Sequence, residues 1–225
     1  MAGTVLFVAK MGRHKSQRVA IARKPMAPQI YLITPAEPDP DRFATTLMAV
    51  LNAAEVSALL VRRGTADEAA YAKRAKEIIN IGQGAGCAVL LDEDAALAKR
   101  LGADGVHIST GSEAVHDAIL TLKPNFIVGA GAAQSRHDAM SMGEMGVDYV
   151  FFGPLDGSSD PQAAELAQWW AATFEIPAVL SDPQAAAERV DSLGAEFIAL
   201  STSIWSAASP AQAMQAIAGV LKETA

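Results

Sequence analysis

The chain has a single cysteine, Cys87, among 225 residues, so it cannot close a disulfide within itself, and a reducing, cytoplasmic setting suits it. Cys87 opens an apolar run and reads as a small core residue, not a nucleophile. No run of 18 or more apolar residues occurs, which argues against a helical membrane span. Val5 to Ala9 is too short and poorly flanked for a signal peptide. A dinucleotide fold would want a Gly-rich turn after its first strand, and here that turn is Thr34-Pro35-Ala36-Glu37-Pro38. The one Gly-rich turn, Gly129-Ala130-Gly131-Ala132-Ala133, has no third glycine and reads as an ordinary tight βα turn.

Base is scarce outside the N-terminus. Lys10, Arg13, Lys15, Arg18, Arg23 and Lys24 give residues 1–28 a charge of +6 with no acid. The remaining 197 residues carry 12 bases and 25 acids, so the body stands at −13. A body this acidic argues against nucleic acid as the main partner. Pro25 and Pro28 mark the boundary between a basic N-terminal extension, 1–28, and a folded body, 29–225.

The body alternates short β-branched runs with Ala-rich amphipathic stretches. Strands are predicted at 29–34, 57–62, 87–92, 105–109, 126–130, 149–153, 177–181 and 197–201. Each is nearly continuous hydrophobic sequence, as parallel strands are when both faces are buried. Residues 67–82 and 209–223 place apolar side chains at three- and four-residue steps and read as helices. Capping signals are Asp41 before the first helix, Thr65 with Glu68 three residues on, and Ser209-Pro210. Gly102-Ala103-Asp104, Gly146-Val147-Asp148 and Gly194-Ala195-Glu196 recur before strands 4, 6 and 8, a repeated corner in which glycine ends a helix. Eight strand–helix units in one domain predict an α/β fold, a single (β/α)8 TIM barrel; a doubly wound open sheet is the runner-up.

Residues 97–108, LAKRLGADGVHI, resemble the thiamine phosphate synthase family, which also holds the thiazole tautomerases. GVDYVFFGP (146–154) resembles that family's strand-6 segment, and GAEFIALSTSIWSAASP (194–210) its strand 8 and exit loop. The resemblance implies an enzyme of thiamine biosynthesis. It would join hydroxymethylpyrimidine pyrophosphate to thiazole phosphate with Mg2+ at the C-terminal mouth of the barrel. Growing charge on the leaving pyrophosphate would need cations, and the thiazole phosphate would need N–H donors.

Several family positions are changed. The strand-2 pattern Gln-x-Arg-x-Lys falls on Leu60, Arg62 and Gly64, so Arg62 alone remains as an anion contact, with Arg63 on the opposite strand face. The strand-3 Asn-Asp becomes Asp92-Glu93, which leaves Glu93 as the one metal-ligand candidate; the second metal acid falls on Ser112. The strand-5 serine and histidine fall on Gly131 and Ala133, while His137 belongs to the next helix and His107 to the strand scaffold. The strand-6 loop becomes Asp156-Gly157-Ser158-Ser159-Asp160-Pro161 and has lost its lysine. The strand-7 Gly-Gly becomes Ser181-Asp182-Pro183, with Asp182 where a phosphate would rest; Ser201-Thr202-Ser203 keeps a plausible phosphate turn.

The catalytic candidates are therefore Arg62, Asp92, Glu93 and Asp182. The ligand-binding candidates are Arg62, Asp92, Ser109, Gly131, Gly153, Ser181, Ser201 and Thr202. Three readings stand: a divergent synthase, a barrel that binds a small molecule without catalysis, and an enzyme of altered, tautomerase-like proton chemistry. The resemblance also allows a homodimer, with Trp169, Trp170, Met140, Met142 and Met145 as its face, although Met and aromatic residues at helical spacing more often belong to the core.

Overall fold

The structure, a computed structural model, describes residues 27–223. The basic charges assigned to the N-terminal extension lie outside those residues. The described chain closes into an eight-stranded parallel barrel in sequence order, β1 to β8. The strands are β1 Gln29–Ile33, β2 Ala58–Val61, β3 Ala88–Asp92, β4 Gly105–Ile108, β5 Ile127–Ala130, β6 Tyr149–Phe152, β7 Ala178–Ser181 and β8 Phe197–Leu200. β1 pairs with β8 as well as with β2, and that pairing closes the ring.

The helices are α1 Phe43–Ala53, α2 Glu68–Gly84, α3 Ala95–Leu101, α4 Ser112–Leu122, α5 Arg136–Glu144, α6 Pro161–Thr173, α7 Thr202–Trp205 and α8 Pro210–Glu223. They cover the outside of the barrel, and the core has two layers. Leu32, Val61, Val89, Val106, Val128 and Val150 face outward against the helices. Tyr31, Leu60, Leu90, Tyr149, Phe151 and Ala199 fill the interior. Both faces of each strand are dry, so the strand sequences read as continuous apolar runs.

The repeated corners have a specific use. Asp104 accepts the Val89 N–H at 2.7 Å, Asp148 the Val128 N–H at 2.7 Å, and Glu196 the Ala178 N–H at 2.9 Å. Each acid at the foot of an even-numbered strand thus satisfies the first free backbone donor of the odd-numbered strand beside it. Asp148 is also paired with Lys123.

Three expectations need correction. No helix links β7 to β8 among the described residues; a turn-rich segment does, and its Ala185 and Val190, 5% and 8% exposed, cover the barrel instead. The third corner glycine, Gly194, therefore follows a turn and not a helix. Two capping signals also misfire. Asp67, not Thr65, caps α2 by accepting the Ala70 N–H at 2.8 Å, whereas Thr65 donates to Glu37. At α1 the cap position is Arg42, without a side-chain bond, and Asp41 donates its own N–H to Asp39. At α2 the nearer carboxylate has the better geometry, and at α1 no side chain caps the helix.

Of the residues expected at a dimer face, Trp170 and Met142 are buried in the core, and Trp169 and Met145 pack partly buried against it. Only Met140 stands exposed. Trp170 packs against Phe152 of β6, which accounts for its burial. Cys87 is buried, and burial pushes its thiol up to about 12, so it is a core residue as read.

Candidate functional site

Side chains alternate across a strand, so the residue two places beyond an inward-facing one also points inward. Leu60, Leu90, Phe151, Val179 and Ala199 belong to the interior cluster. Two residues further on stand Arg62, Asp92, Gly153, Ser181 and Ser201. Ser109 and Gly131 follow His107 and Gly129 in the same phase. The predicted binding residues therefore form one ring at the C-terminal mouth, with Thr202 just outside it. Strand period alone brings them together.

Within that ring Arg62 is already compensated. Its Nε donates to Asp92 Oδ2 at 3.2 Å, and its second guanidinium arm donates to the Leu155 carbonyl at 2.5 Å. Asp92 accepts the Arg63 N–H at 3.1 Å as well. Burial pushes the Asp92 carboxyl up, and the Arg63 N–H and the Arg62 charge oppose that without reversing it. Arg63 itself turns to the outer face, over the Tyr71 ring, as strand alternation requires. Thr34, which sequence reasoning missed, holds Arg62 from behind by accepting its N–H at 2.9 Å.

Glu93 has a left-handed backbone, φ 63, and a fully engaged carboxylate. One oxygen accepts the Ser109 N–H and Oγ–H, each at 2.6 Å; the other accepts the Thr110 hydroxyl at 2.8 Å. The exits of β3 and β4 are thus bridged by a carboxylate and two hydroxyls. This donor set does not fit Mg2+: it holds one carboxylate outside the Arg62 ion pair, and that carboxylate's partners are neutral hydroxyls and an N–H. Among the described residues no group of three or more His, Cys, Asp or Glu side chains could hold a metal.

Asp182 begins the turn after β7, where its Oδ1 accepts the Gln184 N–H at 3.2 Å. Burial pushes its carboxyl up, and Arg189 pulls weakly the other way. Pro183 supplies no N–H, and its carbonyl takes the Ser203 N–H at 2.9 Å. The predicted phosphate turn at Ser201-Thr202-Ser203 is thereby left with one fewer free donor. Asp160 caps α6 by accepting the Gln162 N–H, which explains an acid where the resemblance leads one to expect a lysine nearby. His137 is an exposed helix residue, as its sequence neighbours suggested.

A buried polar chain lies beneath the mouth. Tyr31 and Tyr149 hydroxyls stand 2.9 Å apart, and the Tyr149 hydroxyl lies 3.0 Å from His107 Nδ1. His107 Nε2 is buried with no partner. The chain runs in one of two senses: Tyr31 donates to Tyr149 and Tyr149 to Nδ1, or Nδ1 donates to Tyr149 and Tyr149 to Tyr31. The first sense leaves a proton on Nε2, and the second leaves the Tyr31 hydroxyl proton without an acceptor among the described residues. Burial lowers the His107 pKa to about 3, which keeps the ring neutral.

Gly129 within β5 and Gly131 just beyond its end make this chain possible. A Cβ at Gly129 would stand 1.9 Å from the Tyr149 ring, and one at Gly131 would stand 2.6 Å from His107 Nε2. The Gly-rich segment is a packing device for aromatic neighbours. The sequence signal for this set was a tyrosine or histidine at inward phase within otherwise aliphatic strands.

A family model described as Thiamine monophosphate synthase matches residues 30–204. A thiamine-phosphate synthase of Rhodospirillum centenum is 33% identical over 194 residues, covering 83% of this chain and 94% of that protein. One from Hyphomonas neptunium is 34% identical over 189 residues, covering 79% and 86%. Among solved structures, a thiamine phosphate pyrophosphorylase from Pyrococcus furiosus superposes with a TM-score of 0.74 at 19% identity, covering 87% of this chain and 96% of that one. A 3-hexulose-6-phosphate synthase does so with 0.64 at 15% identity, covering 84% and 99%. These two speak for the fold.

Proposed function

The chain belongs to the thiamine monophosphate synthase family, and from that premise we propose that it serves thiamine metabolism by binding a heterocycle at the barrel mouth, with the coupling of pyrophosphate and phosphate substrates lost. The relatives' names support the metabolic setting. The observation that carries the rest is the neutralised Arg62, the one retained cation of the ring, held by Asp92 and the Leu155 carbonyl.

A doubly phosphorylated substrate pair would meet that compensated arginine, the half-buried Asp182, and no lysine. Two like charges ~4 Å apart repel by about 1 kcal/mol in water and about 4 kcal/mol at an effective dielectric of 20. Loss of one transition-state donor costs roughly 2.7–4 kcal/mol, so the loss of several removes useful turnover. An aromatic-lined interior with an acidic rim favours a neutral or cationic ring.

The test is pyrophosphate release from hydroxymethylpyrimidine pyrophosphate and thiazole phosphate with Mg2+, beside a thermal-shift titration with thiamine. Stabilisation by thiamine without pyrophosphate release is expected. Sustained release dependent on both substrates would overturn the reading. One observation favours a second reading: burial raises the Asp182 carboxyl, which suits an acid–base group in tautomerase-like proton transfer. Under it, Asp182→Asn abolishes tautomer exchange while leaving thiamine binding in place.

A further inference from the structure

The β6–α6 loop lies across the mouth in a way that the resemblance does not account for. Leu155 packs its side chain on the interior cluster of Tyr31, Tyr149 and Phe151, while its carbonyl accepts from Arg62 at 2.5 Å. Ser181, on the opposite side of the ring, donates its hydroxyl to the Pro154 carbonyl at 2.8 Å. Gly157 rests against Thr202 so closely that a Cβ there would stand 2.2 Å from Thr202 Oγ1. Arg62 and Ser181 of the ring, and Thr202 just outside it, are therefore engaged by one short loop of their own chain.

The loop is also bracketed by left-handed glycines. Gly153 and Gly157, with φ of 100 and 89, bracket Pro154, Leu155 and Asp156. Both glycines adopt a backbone region that side-chain-bearing residues rarely enter. Within the loop Asp156 bonds to Ser158, and the polar ties across the ring are those of Arg62 and Ser181.

We infer that Leu155 holds the place of the ligand: an apolar group over the aromatic floor, joined to a neutral acceptor on Arg62, is what the site takes when the loop swings away. This rests on the reading of the mouth as a heterocycle site and adds the ligand's chemistry. Asp92 has cancelled the arginine's charge, so the group that replaces a peptide carbonyl is a neutral ring nitrogen or oxygen and not a dianion. Ligand binding and loop release are then one exchange. The free affinity is lowered by the fraction of molecules in which the loop is closed.

The experiment uses the full chain, its Leu155→Ala and Gly157→Ala variants, and two probes. Anilinonaphthalene sulfonate reports exposure of the aromatic floor, and 4-methyl-5-thiazoleethanol is the neutral acceptor-bearing ring. Near-UV circular dichroism controls for the native core. Both variants are expected to bind the dye at least fivefold more than the unaltered chain with the core signal unchanged. The thiazole alcohol should displace it, with an apparent Kd at least fivefold tighter than for the unaltered chain. Dye uptake that does not rise in either variant overturns the inference, and so does a thiazole affinity that is equal, or absent, in all three proteins. Pyrophosphate-releasing turnover by the unaltered chain would sink the functional reading, yet leave the dye result to decide the loop's role.

Discussion

The imidazole of His107 shows how far one residue's surroundings can depart from its sequence appearance. It sits in an aliphatic strand and reads as scaffold, but its Nε2 is buried without a partner and its pKa lies near 3. The unfolded chain takes up that proton near the ordinary value of 6.5, and the folded chain does so only near 3. The unfolded state therefore binds more protons across that window, and folding stability falls as pH drops through it. The slope should approach 1.4 kcal/mol per pH unit. Urea titrations between pH 3.5 and 6.5 should show this limb flatten in His107→Gln. Nitrogen-15 spectra of the neutral ring report the sense of the chain: a proton on Nε2 means that Tyr31 donates to Tyr149, and one on Nδ1 that it accepts. Gly129 is the complementary case: Gly129→Ala drives a Cβ into the Tyr149 ring and should cost about 1–3 kcal/mol by overpacking, read as a drop in melting temperature. Neither glycine's role was visible in one dimension, because the side chain that each accommodates belongs to a neighbouring strand.

Between residues and the barrel stand the elements, whose order and phase were largely legible. All eight strands appear within a residue of their expected ends, since burial on two faces leaves an unbroken apolar signature. The β7–β8 connection was misread because Ala185 and Val190 cover the strand without helical periodicity. The corner acids form a graded series. Asp148 is 8% exposed and paired with Lys123, so Asp148→Asn should cost about 3–5 kcal/mol, as breaking a buried pair does. Asp104→Asn, at a half-exposed corner, should cost about 1 kcal/mol, an ordinary hydrogen bond's worth. Equal losses in guanidinium unfolding would show that the Lys123 pair adds nothing. The β3–β4 bridge yields a metal prediction. Mg2+ or EDTA should leave the melting temperature unchanged, whereas Glu93→Ala should lower stability by about 2 kcal/mol through its three lost hydrogen bonds. A rise in melting temperature with Mg2+ would reverse the assignment of Glu93 as a bridge.

For the whole molecule, closure of the ring leaves no sheet edge, and one outer core layer runs beneath all the helices. Near- and far-UV circular dichroism should report one coincident unfolding transition; separated midpoints would mean that part of the barrel melts alone. Among the described residues no helix is long and apolar enough to cross a membrane. The sequence by itself determined the barrel and the ring at its mouth. Strand period and two-sided burial are local properties of composition, and parity then places Arg62, Asp92, Ser109, Gly131, Gly153, Ser181 and Ser201 at one end. Only the tertiary structure decided what those residues are free to do. Arg62 meets Leu155 across 93 positions, and Glu93 meets Ser109 across 16. Whether a charge is available or already answered depends on the partner that folding brings beside it, and no spacing along the chain encodes that.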